Sequence, residues 1–172
     1  MAKAQKVSGV VPLRSYQENA CVILPQRLEE VYTWEPFIRD ETRREELHNM
    51  RISIKRLRYT MERFRVVYGV PTVKSQYTEL LAVIVDLQEI LGDIHDADVV
   101  LEVLTDYAPQ LGDQGKQDAG HPGIVRLIAR TEKTRKVDYE TFLGKWDQLS
   151  AIDFKQKLLS LFNATCELKT CC

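Results

Sequence analysis

From about residue 15 onward the apolar positions recur every three or four residues. No stretch of four to eight residues alternates in the way that a half-buried strand does. The pattern is clearest between Asp40 and Tyr68, where Leu47, Met50, Ile54, Leu57, Met61, Phe64 and Tyr68 keep a 3-4 spacing for three heptads. That is the seam of a helix packed against other helices. Asp40, with Thr42 behind it, offers N-cap chemistry, and Gly69-Val70-Pro71 offers a stop.

Before this helix, a first one is predicted from Ser15 into the low thirties, interrupted at Pro25. Trp34-Glu35-Pro36-Phe37 reads as a break. A third helix is predicted over 72–91 through Leu80, Ile84, Leu87 and Leu91, with Ile94 continuing the spacing and Gly92-Asp93 marking a kink or break. A fourth, over 96–107, is expected to bury Val100, Leu101 and Leu104. Residues 108–120, rich in Gly, Gln and Asp, read as a flexible loop. Pro122-Gly123 opens a fifth helix to about Leu149, with a bend expected at Gly144, and a short sixth covers 153–163. The expected fold is all-α, an antiparallel bundle of five to six helices with a long second helix. Residues 1–14 read as a flexible lead-in, 15–165 as one domain and 166–172 as a frayed tail.

Composition adds little until it is divided by element. The net charge is -1 in 172 residues, which by itself argues against a polyanion ligand. Residues 43–74, however, hold nine Lys/Arg against three Asp/Glu, while residues 79–118 hold one Lys against ten Asp/Glu. Charge is segregated along the chain.

The longest wholly apolar runs, residues 80–85 and 20–24, fall far short of the roughly 20 residues that a bilayer span needs. The expected location is therefore cytoplasmic, with no membrane partner. The four cysteines, Cys21, Cys166, Cys171 and Cys172, lack zinc-ribbon spacing and read as reduced cytosolic thiols.

One residue beyond the apolar seam of the second helix lies a basic one. Arg44, His48, Arg51, Lys55, Arg58 and Arg65 keep the same 4-3-4-3 rhythm, interrupted by Glu62. An offset of one residue is about 100° around the helix, so these side chains form a ridge on the flank of the buried face. His48 to Arg58 spans roughly 15 Å of axis. Like charges three and four apart cost a few tenths of a kcal/mol per pair, so a sequence that repeats them gives up helix stability for something. Three readings follow: a polyanion site, a solvated face, or an internal seam neutralised by the acidic helices. The first is preferred because solvated faces usually mix signs. Arg126, Arg130 and Lys133 repeat the idea on the fifth helix. If that helix packed beside the second, the two ridges would face each other. Forked guanidinium donors suit phosphate, and Lys adds a point charge.

The segment Glu46-Leu-His-Asn-Met-Arg-Ile-Ser-Ile-Lys-Arg-Leu-Arg-Tyr59 and the later Leu87-Gln-Glu-Ile-Leu-Gly92-Asp-Ile-His-Asp96-Ala-Asp-Val resemble the CHAD family, the conserved-histidine α-helical domains. The resemblance implies a helical domain that binds inorganic polyphosphate through basic side chains. It maps that role onto His48, Arg51, Lys55, Arg56, Arg58 and Tyr59; Arg56 sits nearly opposite the seam and so falls outside the ridge. Family members typically pair two helical halves, each with its own His-bearing helix, whereas this chain has one. A homodimer would complete a pore, and a single repeat would form an open face; the closed two-fold assembly is the one favoured.

Other chemistries are weaker. Counted as a calcium loop from Asp93, the sixth and twelfth positions hold Asp98 and Leu104 instead of Gly and Glu. No Ser-His-Asp set, phosphate-binding loop or paired carboxylates are visible, so neither catalysis nor a cofactor is expected. Nucleic acid is disfavoured because Tyr59 alone accompanies the ridge, with no run of aromatics for base stacking. Two alternatives remain: an accessory module for a phosphohydrolase or triphosphate-cleaving enzyme, and a structural bundle whose basic helix pairs with its own acidic ones.

Overall fold

A computed structural model of the chain describes residues 6–107 and 122–166, which form five α-helices and two short 3-10 turns. Helix α1 (Tyr16–Tyr32) begins on a capping box, in which Ser15 Oγ accepts from the Glu18 amide and the Glu18 carboxylate accepts from the Ser15 amide. Pro25 lies inside α1 without dividing it. Ala20, Leu24, Leu28 and Val31 are buried on both sides of it, and this packing outweighs the roughly 3 kcal/mol that an interior proline costs. Residues ahead of α1 are tied to it, since Ser8 N donates to Gln26 Oε1 at 3.0 Å and Gln26 Nε2 donates back to the Ser8 carbonyl at 2.9 Å.

A 3-10 turn at Glu35–Phe37 realises the break at Pro36. Helix α2 (Arg44–Phe64) follows, closed by a 3-10 turn at Arg65–Tyr68. Asp40 does not cap it. Its carboxylate accepts from the Thr42 amide at 3.0 Å and the Thr42 hydroxyl at 2.6 Å, a local turn that competes with capping, and α2 starts three residues later than the sequence suggests, with no side-chain cap. The seam itself is as expected: all seven positions from Leu47 to Tyr68 are buried.

The main departure is α3 (Pro71–Tyr107), one unbroken helix of 37 residues where two were expected. Gly92 costs a helix only about 1 kcal/mol relative to Ala, and Leu87, Leu91, Ile94 and Leu101 carry one buried stripe straight through it. Of the residues expected to be buried near its end only Leu101 is; Val100 is exposed and Leu104 half-buried. Residues 108–121, which hold the expected loop, lie outside the described residues. Helix α4 (Pro122–Ala151) likewise runs through Gly144. A reversal with Asp153 in the left-handed region (φ 53°) leads to α5 (Phe154–Ala164).

α1, α2, α3 and α4 run antiparallel in sequence, with α3 packed on both α2 and α4. Its pairings Asp98–Arg135 and Asp86–Lys145 set the α3–α4 register. The lower half of α4 folds over the α1–α2 connection: Trp146 Nε1 donates to Glu35 and Tyr139 Oη to the Ile38 carbonyl, both at 2.9 Å. α5 returns along α1, where Lys155 meets Glu29 at 2.9 Å. Cys21 and Cys166 are joined in a disulfide there. The expectation of free thiols is therefore corrected for these two, because the fold brings together cysteines 145 residues apart. Cys171 and Cys172 lie outside the described residues. No helix among the described residues is long and apolar enough to cross a membrane.

Candidate anion-binding site

The ridge survives folding on α2, and each member has a different surrounding. Arg51, Lys55 and Arg58 are half-buried on successive turns beside α3. Arg58 Nε pairs with Glu62 on its own helix at 2.8 Å, which holds the guanidinium above its ordinary pKa. Lys55 Nζ and the Arg58 guanidinium lie 5.9 and 5.8 Å from the centroid of the exposed Tyr59 ring, loose cation–π contacts that steer both cations to one side. Among the described residues neither Arg51 nor Lys55 has a carboxylate partner, and Arg51 Nε is buried without a hydrogen bond.

The acidic α3 packs directly on α2, yet two of its carboxylates, Asp86 and Asp98, turn to α4. Asp98 accepts from Arg135 Nε at 2.6 Å, Asp86 pairs with Lys145, and Arg135 is buried at 6% exposure while also donating to the Glu41 carbonyl at 3.1 Å. Asp98 also reaches the ridge, meeting Arg44 Nε at 3.2 Å, and the Glu89 carboxylate acts on Arg58 through space. Register supplies the rest. His48 meets His95, and seven residues further along α2 and back along α3 are Lys55 and the neutral Gln88.

His48 and His95 stand at the N-terminal end of the ridge with their Nδ1 atoms 3.2 Å apart and ring centroids 4.4 Å apart. Burial, then His95, then Arg51 hold His48 below the ordinary imidazole pKa. It is therefore a neutral hydrogen-bonding group at neutral pH. Beyond the pair opens a cleft of about 820 Å³ whose walls include Glu45, Asp98, Glu102, Asp106 and Glu132. The groove between α2 and α3 thus changes sign at the histidines.

Four of the residues expected in the site are elsewhere. Arg56 reaches the other way, to the buried Glu30 of α1, which also takes Arg27 Nη1 at 2.6 Å. Arg126, Arg130 and Lys133 are exposed, and they lie well over 100° around α4 from its buried Arg135–Tyr139–Phe142 stripe. α4 packs on α3 and its basic row does not face α2, so the two ridges do not line a common groove. Arg44 is present but engaged, and Arg65 lies on the 3-10 turn after the helix.

His95, Asp98 and Arg135 were missed as members of this region. A signal existed for two of them. His95 follows the seam residue Ile94 as His48 follows Leu47, and Arg135 occupies a seam position of α4, four before Tyr139 and seven before Phe142. A charge at a seam position demands a buried partner. Among the described residues no three His, Cys, Asp or Glu side chains converge as a metal-holding group.

Comparison with known proteins gives one match: the model of the CHAD domain family covers residues 24–105, from within α1 to near the end of α3. No curated protein and no solved structure matches the chain.

Proposed function

Residues 24–105 belong to the CHAD domain family, and from that premise we propose that the chain binds inorganic polyphosphate, without turning it over, along the Arg51–Lys55–Arg58 face of α2. The observation that supports this reading is the unmatched charge of Arg51 and Lys55. An internal electrostatic seam would spend the acids of α3 on Arg51 and Lys55, and among the described residues neither has a carboxylate partner, while Asp86 turns to Lys145 and Asp98 to Arg135 and Arg44. A purely solvated face would leave the three side chains fully exposed, whereas they are half-buried against a packed neighbour. Arg51 and Lys55, partly desolvated and held without counter-charges, repel each other, and a multivalent anion offsets that cost. Seven residues separate Arg51 from Arg58, roughly 10 Å of helix axis, so one extended polyanion can meet all three. His48 adds a hydrogen-bonding group at the end of this track.

The setting that goes with this reading is the cytoplasm, in association with polyphosphate granules. Cys21 and Cys166 would there meet a reducing milieu, so binding is to be measured with and without reductant.

The test is the Arg51→Ala, Lys55→Ala, Arg58→Ala triple variant, titrated with polyphosphate at several salt concentrations. Helicity is expected to stay native, since all three side chains lie outside the buried seam. Binding is expected to fall by at least the hundredfold that losing several phosphate contacts implies, and any residual signal should depend less steeply on salt. A folded variant that binds like the parent would sink the proposal, as would equal displacement by single-stranded nucleic acid at the same phosphate concentration.

A further inference from the structure

The His48–His95 contact constrains its own protons. At 3.2 Å between Nδ1 atoms, one ring must present a hydrogen and the other a lone pair. A neutral pair satisfies this, and so does a pair with one extra proton on the far nitrogen of the donor ring. A second extra proton makes both Nδ1 atoms donors and ends the contact. The pair can thus hold one added charge while keeping α2 and α3 in contact.

We propose that His95 extends the anion site from α2 onto α3, and that the His48–His95 pair takes up a proton when polyphosphate binds, so that affinity rises as pH falls. This rests on the polyphosphate reading of the ridge. Arg51 lies three residues from His48, about one helical turn, so an anion seated on Arg51 ends beside the pair.

The charges that face the histidines decide the sign. From α2 come Arg51 and Arg44 against Glu45; from α3 come Asp98, Glu102 and Asp106; from α4 comes Glu132. Arg44 and Asp98 are engaged with each other, and Asp98 with Arg135. Glu45, Glu102, Asp106 and Glu132 place negative charge around the cleft; Glu45 favours a proton on His48, while burial and Arg51 oppose it. A polyanion over Arg51 offsets the opposing charge and adds negative potential of its own, which draws a proton onto the pair. The same carboxylates repel phosphate, so the anion track stops at the histidines instead of entering the 820 Å³ cleft.

The experiment uses the full chain and long-chain polyphosphate, whose internal phosphates stay ionised throughout. Affinity is measured at constant ionic strength between about pH 8 and pH 6, around the ordinary imidazole pKa of about 6.5. Calorimetry in two buffers of different ionisation enthalpy counts the protons taken up. The expected result is net proton uptake and an affinity that climbs by up to about tenfold per pH unit, the limit for one linked proton. In His95→Gln the climb should flatten and the uptake fall. His95→Lys, which carries a fixed charge, should bind tightly across the range without the pH slope, and it decides the matter if His95→Gln fails to fold. Equal slopes in the parent and both folded variants overturn this inference and leave the ridge reading standing. No binding by the parent at any pH overturns both.

Discussion

Glu30 is buried to 3% exposure, and its two guanidinium partners, Arg27 and Arg56, come from α1 and α2. Arg56 is one residue from Lys55 in the chain and about 100° from it around the helix, and that rotation changes its work from holding a ligand to holding the fold. The two roles separate by mutation. Arg56→Ala should lower stability while leaving polyphosphate affinity near that of the parent, the reverse of the ridge triple variant. Glu30→Ala should cost about 2 kcal/mol, below the roughly 3–5 kcal/mol of a fully buried broken pair, because both arginines keep about a fifth of their side-chain surface in water. Urea unfolding followed by circular dichroism measures both. A stable Arg56→Ala protein that had lost binding would return Arg56 to the site. The sequence carried enough to doubt Arg56, since its angle was off the ridge. It did not carry Glu30, because a carboxylate on a helix face reads as solvated until the neighbouring helix is placed against it.

At the level of elements, legibility followed the strength of the local pattern. α2 was readable because seven seam positions and the basic row beside them agree over three heptads. α3 was misread because a glycine and an aspartate are usual at breaks, while the packing that overrides them is not local. Leu91 and Ile94 bridge Gly92 on one buried stripe. Gly92 is therefore a helical residue without a conformational reason to be glycine, and a Cβ built there meets nothing within 4 Å. Gly92→Ala should stabilise the protein by about 0.5–1 kcal/mol, through better helix propensity and a less flexible unfolded chain. The midpoint in urea should rise with no change in its slope. A fall in stability would mean that the helix does need the freedom of a glycine at this point. The anion site also depends on this continuity, since His95 and Asp98 lie past Gly92 and reach α2 and α4 only because α3 does not bend away.

Across the whole molecule, the facts that could not be read from the chain are pairings between distant segments. Segment charges showed a basic helix and an acidic one, but not that Arg135 and Lys145 of α4 would engage the acids Asp98 and Asp86 from the far side of α3. Cysteine spacing likewise gave no hint that Cys21 and Cys166 meet, because α5 had first to return along α1. That bond closes nearly the whole domain into a loop, and it sits at the opposite end of α1 from the Glu29–Lys155 pair, so α5 is held at both ends. Restricting so long a loop in the unfolded chain is worth about 2–5 kcal/mol. Reductant, or Cys166→Ser without reductant, should lower the thermal midpoint by an amount in keeping with that figure, and adding reductant to the variant should change nothing further. Polyphosphate binding at a temperature where both forms are folded should be unaffected, since the ridge lies on the α3 side of α2 and the disulfide joins α1 to the end of α5. Loss of binding on reduction would show instead that the α1–α5 pairing sets the position of α2, and would make the site redox-dependent.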